Sequence, residues 1–412
     1  MRPTRISHAW TRRPSRSPAR WSSSRSPLSR REMAVSGRRW SLLIAALAIP
    51  TELPAQSGQF LVRLGRDTLA IERYTRTADR LEGEQVVRSP RTVHRLYTAT
   101  FGPGGAVERF ELITHNVSGG PGPLERKAAV IFSGDTVVMT IPRGDSTVTM
   151  RVKTGPGALP YVGQLYALVE EVARRARAAA TDRYTVTMLP LGTNEPWSVE
   201  VNRIGADSLT IQLGPIGPLR MRVDDRGTLL GISGAGSTMQ VTVERVQGLD
   251  FAALGKSFAP RSLGTLSPAD SVRASVAGAA VTVRYSRPSV RGRVIFGNVV
   301  PWNKVWRTGA NEATVLETNG ELSVAGTTVP AGKYSLWTIP SPAVWKLIIN
   351  KNTGQWGTEY DAQYDLARLD MRVEPLRQPV EQFTIAIEPS GNGGVLKLEW
   401  EKTRASIPLS TK

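Results

Sequence analysis

Two long stretches of the chain alternate between apolar and polar residues, and this alternation most limits the possible folds. It runs from about residue 60 to 246 and again from 271 onward, as in Thr-Val-Val-Met-Thr-Ile at 136–141 and Val-Leu-Lys-Leu-Glu-Trp at 395–400. Short turn sequences such as Ser-Gly-Asp and Asp-Arg-Gly interrupt the alternation. A period of two that is bounded by Gly and Asp is typical of β-hairpins. We therefore expect antiparallel sheets.

One segment in the first stretch has a helical period instead. Leu165, Leu168, Val169, Val172 and Ala176 recur every three or four residues, with Glu and Arg between them. This spacing places the apolar residues on one face of an α-helix. We predict an N-terminal domain at 57–248 that consists of a curved antiparallel sheet with one packed helix, at about 162–180.

The second stretch is predicted to form a separate domain. Residues 249–268 contain two Gly and two Pro and few periodic apolar residues, which indicates a linker. Seven or eight short strand patterns follow at 269–410 and are separated by Gly, Pro and Asn turns. Such spacing predicts a β-sandwich or jelly-roll-like domain. The expected fold class is thus all-β dominated.

The formal net charge of +18 is distributed unevenly along the chain. Residues 1–55 contain eleven Arg and only two acidic residues, which is half of the excess. The remaining basic residues are scattered singly through strand patterns, whereas nucleic-acid binders concentrate them on one face. We therefore expect no nucleic-acid partner. The oligomeric state stays open.

The chain contains no Cys and only three His, at positions 8, 94 and 115. Disulfides, thiolate nucleophiles and Cys-based metal sites are thereby excluded. His94 and His115 have no further ligand-type residue at metal-binding spacing. We expect neither a metal site nor a cofactor.

The N-terminal region has the layout of a Sec-type signal peptide at 33–55. Arg38 and Arg39 precede a nine-residue apolar run at 41–49, and Leu-Pro-Ala at 53–55 resembles a cleavage site. The run is too short to span a bilayer, and no Cys follows it for a lipid anchor. Met33 is a plausible start, which would leave 1–32 as a disordered leader or a misplaced gene start. The mature chain is expected to be periplasmic or extracellular and without a transmembrane segment.

The C-terminal stretch resembles the bacterial domain of unknown function 2911. The resemblance rests on several motifs in order: Tyr-Ser-Arg-Pro at 285–288, Arg-Gly-Arg-Val-Ile-Phe-Gly at 291–297, Val-Trp-Arg-Thr-Gly-Ala-Asn-Glu-Ala-Thr at 305–314, Pro-Ala-Gly-Lys-Tyr-Ser-Leu-Trp-Thr-Ile-Pro at 330–340, and Trp-Gly at 356–357. It covers about residues 267–410. Trp302 departs from the Tyr that we expect in members of the family. The resemblance implies an exported all-β domain and transfers no catalytic residue. We recognise no family for the N-terminal domain.

The motifs gather charged and aromatic residues into one candidate binding site. Guanidinium and carboxamide groups hold carboxylates or phosphates, and indole rings stack on apolar ligand faces. The candidate residues are Arg291, Arg293, Trp306, Arg307, Asn311, Glu312, Lys333, Tyr334 and Trp356. The alternative is an internal network in which Arg307 pairs with Glu312 and the Trp residues fill the end of a sandwich. We expect Trp337, Trp345 and Trp400 in the core, and Trp302, Trp306 and Trp356 at a surface.

Three functions remain open from the sequence. The first is binding of a polar or anionic ligand, such as a glycan or an envelope component, by the C-terminal sandwich. The second is a hydrolase in which Glu312 acts with Glu359, Asp361 or Asp365, since paired carboxylates support acid–base chemistry. The third is a purely structural envelope protein. The first is favoured, and no catalytic residue is assigned.

Overall fold

The computed structural model describes residues 55–118, 125–143, 145–179 and 181–410. They form two large β-sheets and two α-helices, which confirms the all-β-dominated fold class. The predicted leader at 1–32 and nearly all of the predicted signal peptide at 33–55 lie outside the described residues. Within the described ranges, neither helix has the length and apolar character needed to cross a membrane.

The first sheet has fifteen strands. They are β1 (Gln56–Leu64), β2 (Asp67–Arg76), β3 (Arg80–Val87), β4 (Val93–Phe101), β5 (Val107–Asn116), β6 (Glu125–Ser133), β7 (Thr136–Arg143), β8 (Ser146–Lys153), β9 (Leu159–Tyr161), β10 (Arg183–Pro190), β11 (Trp197–Arg203), β12 (Ser208–Gln212), β13 (Pro218–Val223), β14 (Leu229–Ser233) and β15 (Thr242–Val246). Single turns of 3-10 helix lie at Pro103–Gly105 and Gly214–Ile216.

Most neighbours in this sheet are also neighbours in sequence. The order runs from β8 back to β1, continues through β15 and ends at β9, so β1 and β15 pair in the middle. All pairs are antiparallel except β9 with β10, which flank helix α1 (Tyr166–Ala178) and pair in parallel. Apolar residues of α1 share one core with strands from both halves of the sheet. The prediction of one helix packed on a curved sheet is confirmed.

The polar face of α1 is buried as well, which amphipathic spacing alone does not predict. Glu170 and Glu171 are only 1% and 6% exposed. Glu170 forms an ion pair of 2.6 Å with Arg245 on β15, and Glu171 forms one of 3.3 Å with Arg76 on β2. The sheet therefore curves around both faces of the helix and matches the polar face with arginines.

The predicted linker is more structured than expected, because it contains helix α2 (Phe251–Phe258). The Asp250 side chain accepts the Ala253 N–H at 3.0 Å and caps the helix. Phe251 packs against Ile71 and Val86 of the first sheet. Its ring also lies under the Arg73 guanidinium, 4.9 Å away. The segment is thus a capped helix docked on the first sheet, and where the boundary between the two predicted domains runs stays a prediction.

The second sheet has nine strands. They are β16 (Ala269–Val276), β17 (Ala279–Ser286), β18 (Thr314–Thr318), β19 (Leu322–Val324), β20 (Thr327–Val329), β21 (Gly332–Ile339), β22 (Val344–Asn350), β23 (Asp365–Ser390) and β24 (Gly393–Ser410). A 3-10 turn lies at Ala362–Tyr364.

All nine strands contribute to one core, so the sheet folds over on itself in the manner of a sandwich. The two long strands β23 and β24 make this possible, since their pairing register shifts near Pro375 and Val380. Trp345 and Trp400 are 1% and 2% exposed within this core, and Trp337 is 1% exposed in a small adjoining cluster. The predicted core positions of these three Trp residues are confirmed.

Candidate functional site

A cavity of about 680 Å³ is lined by loops of both sheets. The second sheet contributes the segment between β17 and β18 together with the loop after β22. The first sheet contributes the turn before α1 and the loop between β14 and β15, and residues 265–267 of the predicted linker complete the lining. A volume of this size lies within the usual range for small-molecule sites.

The cavity lining is strongly basic. Its charged side chains are Arg291, Arg293, Lys304 and Arg307. Among the described lining residues there is no Asp or Glu. Two carboxylates outside the lining lie next to Arg291: Asp67 Oδ2 is 2.6 Å from Arg291 Nη1, and Glu381 Oε1 accepts the Arg291 backbone N–H at 2.9 Å. The cavity therefore favours an anion over a cation or a neutral molecule.

The Arg307 side chain has no hydrogen-bond or ion-pair partner among the described residues. Its Nε is buried without a hydrogen-bond acceptor, and within the described residues its guanidinium forms no ion pair. Burial lowers the pKa of Arg307 to about 10, so the group stays charged at neutral pH. A buried charge without a counter-ion is costly to a fold. An anion bound beside Arg307 would supply the missing counter-ion.

Gly357 provides the space for the Arg307 side chain. A Cβ at this position would lie 2.0 Å from Arg307 Cδ and 2.4 Å from the Asn311 carbonyl oxygen. The Gly357 N–H donates to that same carbonyl at 3.0 Å. The Trp-Gly motif at 356–357 thus has a steric role beside the arginine.

The turn that follows Arg307 has an unusual backbone. Thr308 and Asn311 have φ angles of +53° and +59°. Residues other than Gly seldom adopt this left-handed region of backbone conformation. Thr308 is fully buried, and its carbonyl accepts the Thr314 hydroxyl at 2.7 Å. Asn311 lines the cavity and donates only a long bond of 3.5 Å to Ser286 Oγ. The turn therefore places a weakly engaged carboxamide beside the arginine.

The other two predicted arginines are held more firmly. Arg291 is paired with Asp67, and its backbone carbonyl accepts the Arg66 N–H at 2.9 Å. Arg293 donates from Nε to the Val290 carbonyl at 3.1 Å and from Nη2 to the Ser289 carbonyl at 2.6 Å. Burial lowers the pKa of Arg293 from its usual value. Both line the cavity, and Arg293 has two of its donors engaged, whereas the buried Arg291 Nε has no acceptor among the described residues.

Two predicted aromatic site residues belong to the core instead. Trp306 is 8% exposed, and its ring stacks on Trp400 with centroids 5.8 Å apart. The prediction that Trp306 lies at a surface is wrong, although one side of it borders the cavity. Tyr334 is 7% exposed, and its hydroxyl donates to the Pro330 carbonyl at 2.9 Å. Tyr334 does not line the cavity.

Three further predicted residues also lie outside the cavity lining: Glu312, Lys333 and Trp356. Lys333 is exposed on β21 and lies 3.6 Å from the Glu317 carboxylate. Glu312 is exposed, and its backbone forms an isolated antiparallel β-bridge with that of Trp356. The alternative in which Arg307 pairs with Glu312 is therefore wrong, because Arg307 has no carboxylate partner among the described residues.

The carboxylates of the hydrolase hypothesis do not gather around the cavity. Asp365 accepts from the Tyr360 hydroxyl at 2.6 Å and pairs with Arg368 at 2.7 Å. Asp361 caps the 3-10 turn by accepting the Gln363 N–H, and Glu359 accepts the Trp356 N–H at 3.1 Å. None of these residues, nor Glu312, lines the cavity. Hydrolysis stays a prediction without structural support.

His94 on β4 and His115 on β5 are direct partners in the strand register. Their distance apart in the sequence did not indicate this pairing. Their rings are 6.1 Å apart, and His94 Nε2 lies 2.7 Å from Glu84 Oε2. Over the described ranges, no group of three or more metal-ligand side chains comes together.

Sequence reasoning missed part of the cavity wall. Lys304 and Tyr360 line it from the second sheet, and Gln164 and Gln240 line it from the first. Lys304 directly precedes the charged run at 305–314, so local composition could have indicated it. The two glutamines precede that run by more than sixty residues and carry no local signal.

Comparison with known families gives a match for the C-terminal part of the chain. Residues 267–409 match the family described as a protein of unknown function, DUF2911, which confirms the predicted resemblance. No curated protein matches the chain. Among solved structures, a DUF1089 family protein from Pseudomonas aeruginosa shares 14% identity over 48% of this chain and 95% of its own, with a TM-score of 0.28. A β-barrel-like DUF1849 protein from Brucella abortus shares 10% identity over 47% and 94%, with a TM-score of 0.30.

Proposed function

We propose that the protein binds a small anionic ligand in the cavity, with Arg307 as the main anchor. The observation that carries this proposal is the Arg307 guanidinium, whose buried Nε has no acceptor among the described residues. A planar guanidinium fork matches the two oxygens of a carboxylate or a phosphate. A bound anion would complete the ion pair that the described residues leave unmade. An acidic glycan or another envelope component has the required chemistry.

The basic lining supports the same proposal beyond Arg307. Lys304 is exposed on the lining, so a ligand can reach it, and Asn311 retains hydrogen-bonding capacity. Arg291 and Arg293 add positive potential, although Arg291 is paired with Asp67 and Arg293 donates to two backbone carbonyls. Together they concentrate positive charge at one opening, which raises the local concentration of anions.

Replacing Arg307 with glutamine tests the proposal. Charge-assisted hydrogen bonds contribute about 1.5–3 kcal/mol each, so we expect anion affinity to fall roughly 10- to 100-fold. The free energy of unfolding should stay the same or rise, because the variant removes an unpaired buried charge. Thermal shift and calorimetry with phosphate, sulfate and citrate measure both effects, and a glycan array broadens the search.

The control is Arg377→Gln on β23, where the arginine is exposed and has no ion-pair partner among the described residues. We expect this variant to bind anions like the wild type. If Arg307→Gln lowers the unfolding temperature sharply while anion binding persists, Arg307 has a structural role and the proposal is wrong.

We further propose that the protein is exported and acts in the periplasm or outside the cell. The first strand begins at Gln56, directly after the predicted cleavage site at Ala55. The Gln56 side chain donates to Thr228 Oγ1 at 3.1 Å, so cleavage there would leave the first sheet complete. N-terminal sequencing of the mature protein should give Gln56 as the first residue. Recovery of an uncleaved chain from the cytoplasm would contradict export.

A further inference from the structure

The first sheet supplies one wall of the cavity, and that wall has no charged side chain but includes two carboxamides. Gln164 lies in the turn between β9 and α1, and Gln240 lies in the loop between β14 and β15. Both line the same cavity as Arg307 and Asn311, which come from the second sheet. The site is therefore composite, and a ligand anchored on Arg307 has a carboxamide surface within the same enclosure.

Backbone strain concentrates at this cavity. Gln164 and Gln240 have φ angles of +69° and +53°, in the left-handed region that costs a residue with a Cβ about 1–2 kcal/mol. Arg291 and Asn311 share this conformation, so four of the nine such residues other than Gly in the described chain line one cavity. Strained residues of this kind persist where the surrounding structure holds them, and they cluster at ligand sites.

Each glutamine is held in place by bonds that leave part of its carboxamide free. Gln164 Oε1 accepts the Tyr166 hydroxyl at 3.1 Å, and its backbone carbonyl accepts from Gln85 Nε2. Gln240 Nε2 donates to the Ser237 carbonyl at 2.8 Å. Among the described residues, Gln164 Nε2 and Gln240 Oε1 have no partner. The wall thus offers one fixed donor and one fixed acceptor.

A fully deprotonated inorganic anion such as sulfate has no donor for the acceptor on this wall. A hydroxyl group both donates and accepts, so a polyhydroxylated ligand can satisfy Gln164 Nε2 and Gln240 Oε1 together. The cavity volume of about 680 Å³ is large enough for such a ligand. Charge on one wall and neutral hydrogen-bonding groups on the other match a sugar that carries a carboxylate or a phosphate.

We propose that Gln164 and Gln240 are ligand-binding residues and that the ligand is an acidic sugar. Its anionic group pairs with Arg307, and its hydroxyls bond to the two carboxamides across the cavity. This inference rests on the proposed function and adds the ligand class and the contribution of the first sheet. The acidic sugar can be a free sugar acid or the terminal residue of a glycan.

Calorimetry with glucuronate, glucose and acetate tests the inference. We expect glucuronate to bind more tightly than either glucose or acetate. The variants are Gln164→Asn and Gln240→Asn, because Asn tolerates the left-handed region best after Gly and withdraws the carboxamide by one methylene. Each should weaken glucuronate binding by roughly 5- to 10-fold, as expected for one lost hydrogen bond, and leave acetate binding unchanged. Arg307→Gln should weaken both ligands.

Gln378→Asn serves as the matched control, since Gln378 is exposed on β23 away from the cavity lining. Methyl glucuronide distinguishes the two sources, because equal binding indicates a glycan terminus and weaker binding indicates a free sugar acid.

If glucuronate and acetate bind equally and neither Gln variant changes glucuronate binding, the inference is overturned, while the dependence on Arg307 still supports anion binding. If no anion binds at all, both proposals are overturned. A fall in unfolding temperature with parallel loss of acetate binding would assign the glutamines a structural role instead.

Discussion

Replacing Glu170 with alanine is expected to lower the free energy of unfolding by about 3–5 kcal/mol, the range observed when one partner of a buried ion pair is removed. Glu170 is 1% exposed and accepts four hydrogen bonds. They come from the Tyr74 hydroxyl at 2.6 Å, the Leu229 N–H at 3.2 Å, Arg245 Nη2 at 2.6 Å, and Arg174. The variant leaves two guanidinium groups without their shared anion between helix α1 and the sheet.

Urea unfolding followed by tryptophan fluorescence measures this loss. The control is Glu200→Ala, which removes an exposed pair with Arg183 across β10 and β11. Solvent screens such pairs, so we expect no measurable change in the urea midpoint. A loss below about 1 kcal/mol for Glu170→Ala would mean that the network is as weak as a surface pair, and the assigned role would be wrong.

Stability is expected to fall as the pH rises through the pKa of Glu72. This residue of β2 is fully buried and accepts the Tyr97 hydroxyl at 2.7 Å and the N–H groups of Tyr166 and Ala167 at 2.7 and 3.1 Å. It therefore caps the first turn of α1, whose own N-cap residue, Leu165, makes no side-chain bond. Burial raises the pKa of Glu72 from 4.5 to about 7, although these hydrogen bonds act in the opposite direction.

Because the pKa is higher in the folded state, the folded chain binds more protons between pH 4.5 and 7 than the unfolded chain does. The contribution of Glu72 is thus fully present below pH 4.5 and declines by about 3 kcal/mol by the time the pH passes 7. Urea unfolding at pH 5 and pH 8 should show this difference in the wild type. Glu72→Gln, which cannot titrate, should show a smaller one. Identical pH dependence in both proteins would contradict the assignment.

Local patterns predicted the strands and the first helix well. Alternation depends on residues two apart, and helical spacing depends on residues three or four apart, so both are visible in any short window. The core positions of Trp337, Trp345 and Trp400 follow from the same alternation. Helix α2 was missed because its apolar residues Phe251, Leu254 and Phe258 cover only two turns and stand among Gly and Pro residues.

Candidate site residues were predicted less well, and strand geometry gives one reason. Lys333 and Tyr334 are adjacent on β21, so their side chains point to opposite faces and cannot both enter one site. Lys333 is exposed and Tyr334 is buried, as this rule requires. Trp306 was misplaced for a different reason. Its segment looks like a loop, but it bonds to Thr338 at 2.7 and 2.9 Å and carries the ring into the core.

The amino-acid sequence alone determined that this protein is built of two strand-rich regions, one of them with a helix. It also assigned Arg291, Arg293, Arg307 and Asn311 to the same candidate site. These features depend on residues that are close together in the chain. Only the tertiary structure decided that Arg307 has no partner among the described residues, that Glu312 lies outside the cavity lining, and that Gln164 and Gln240 line the same cavity as Arg307. Such pairings join residues far apart in sequence, and they depend on how the sheets curve and pack.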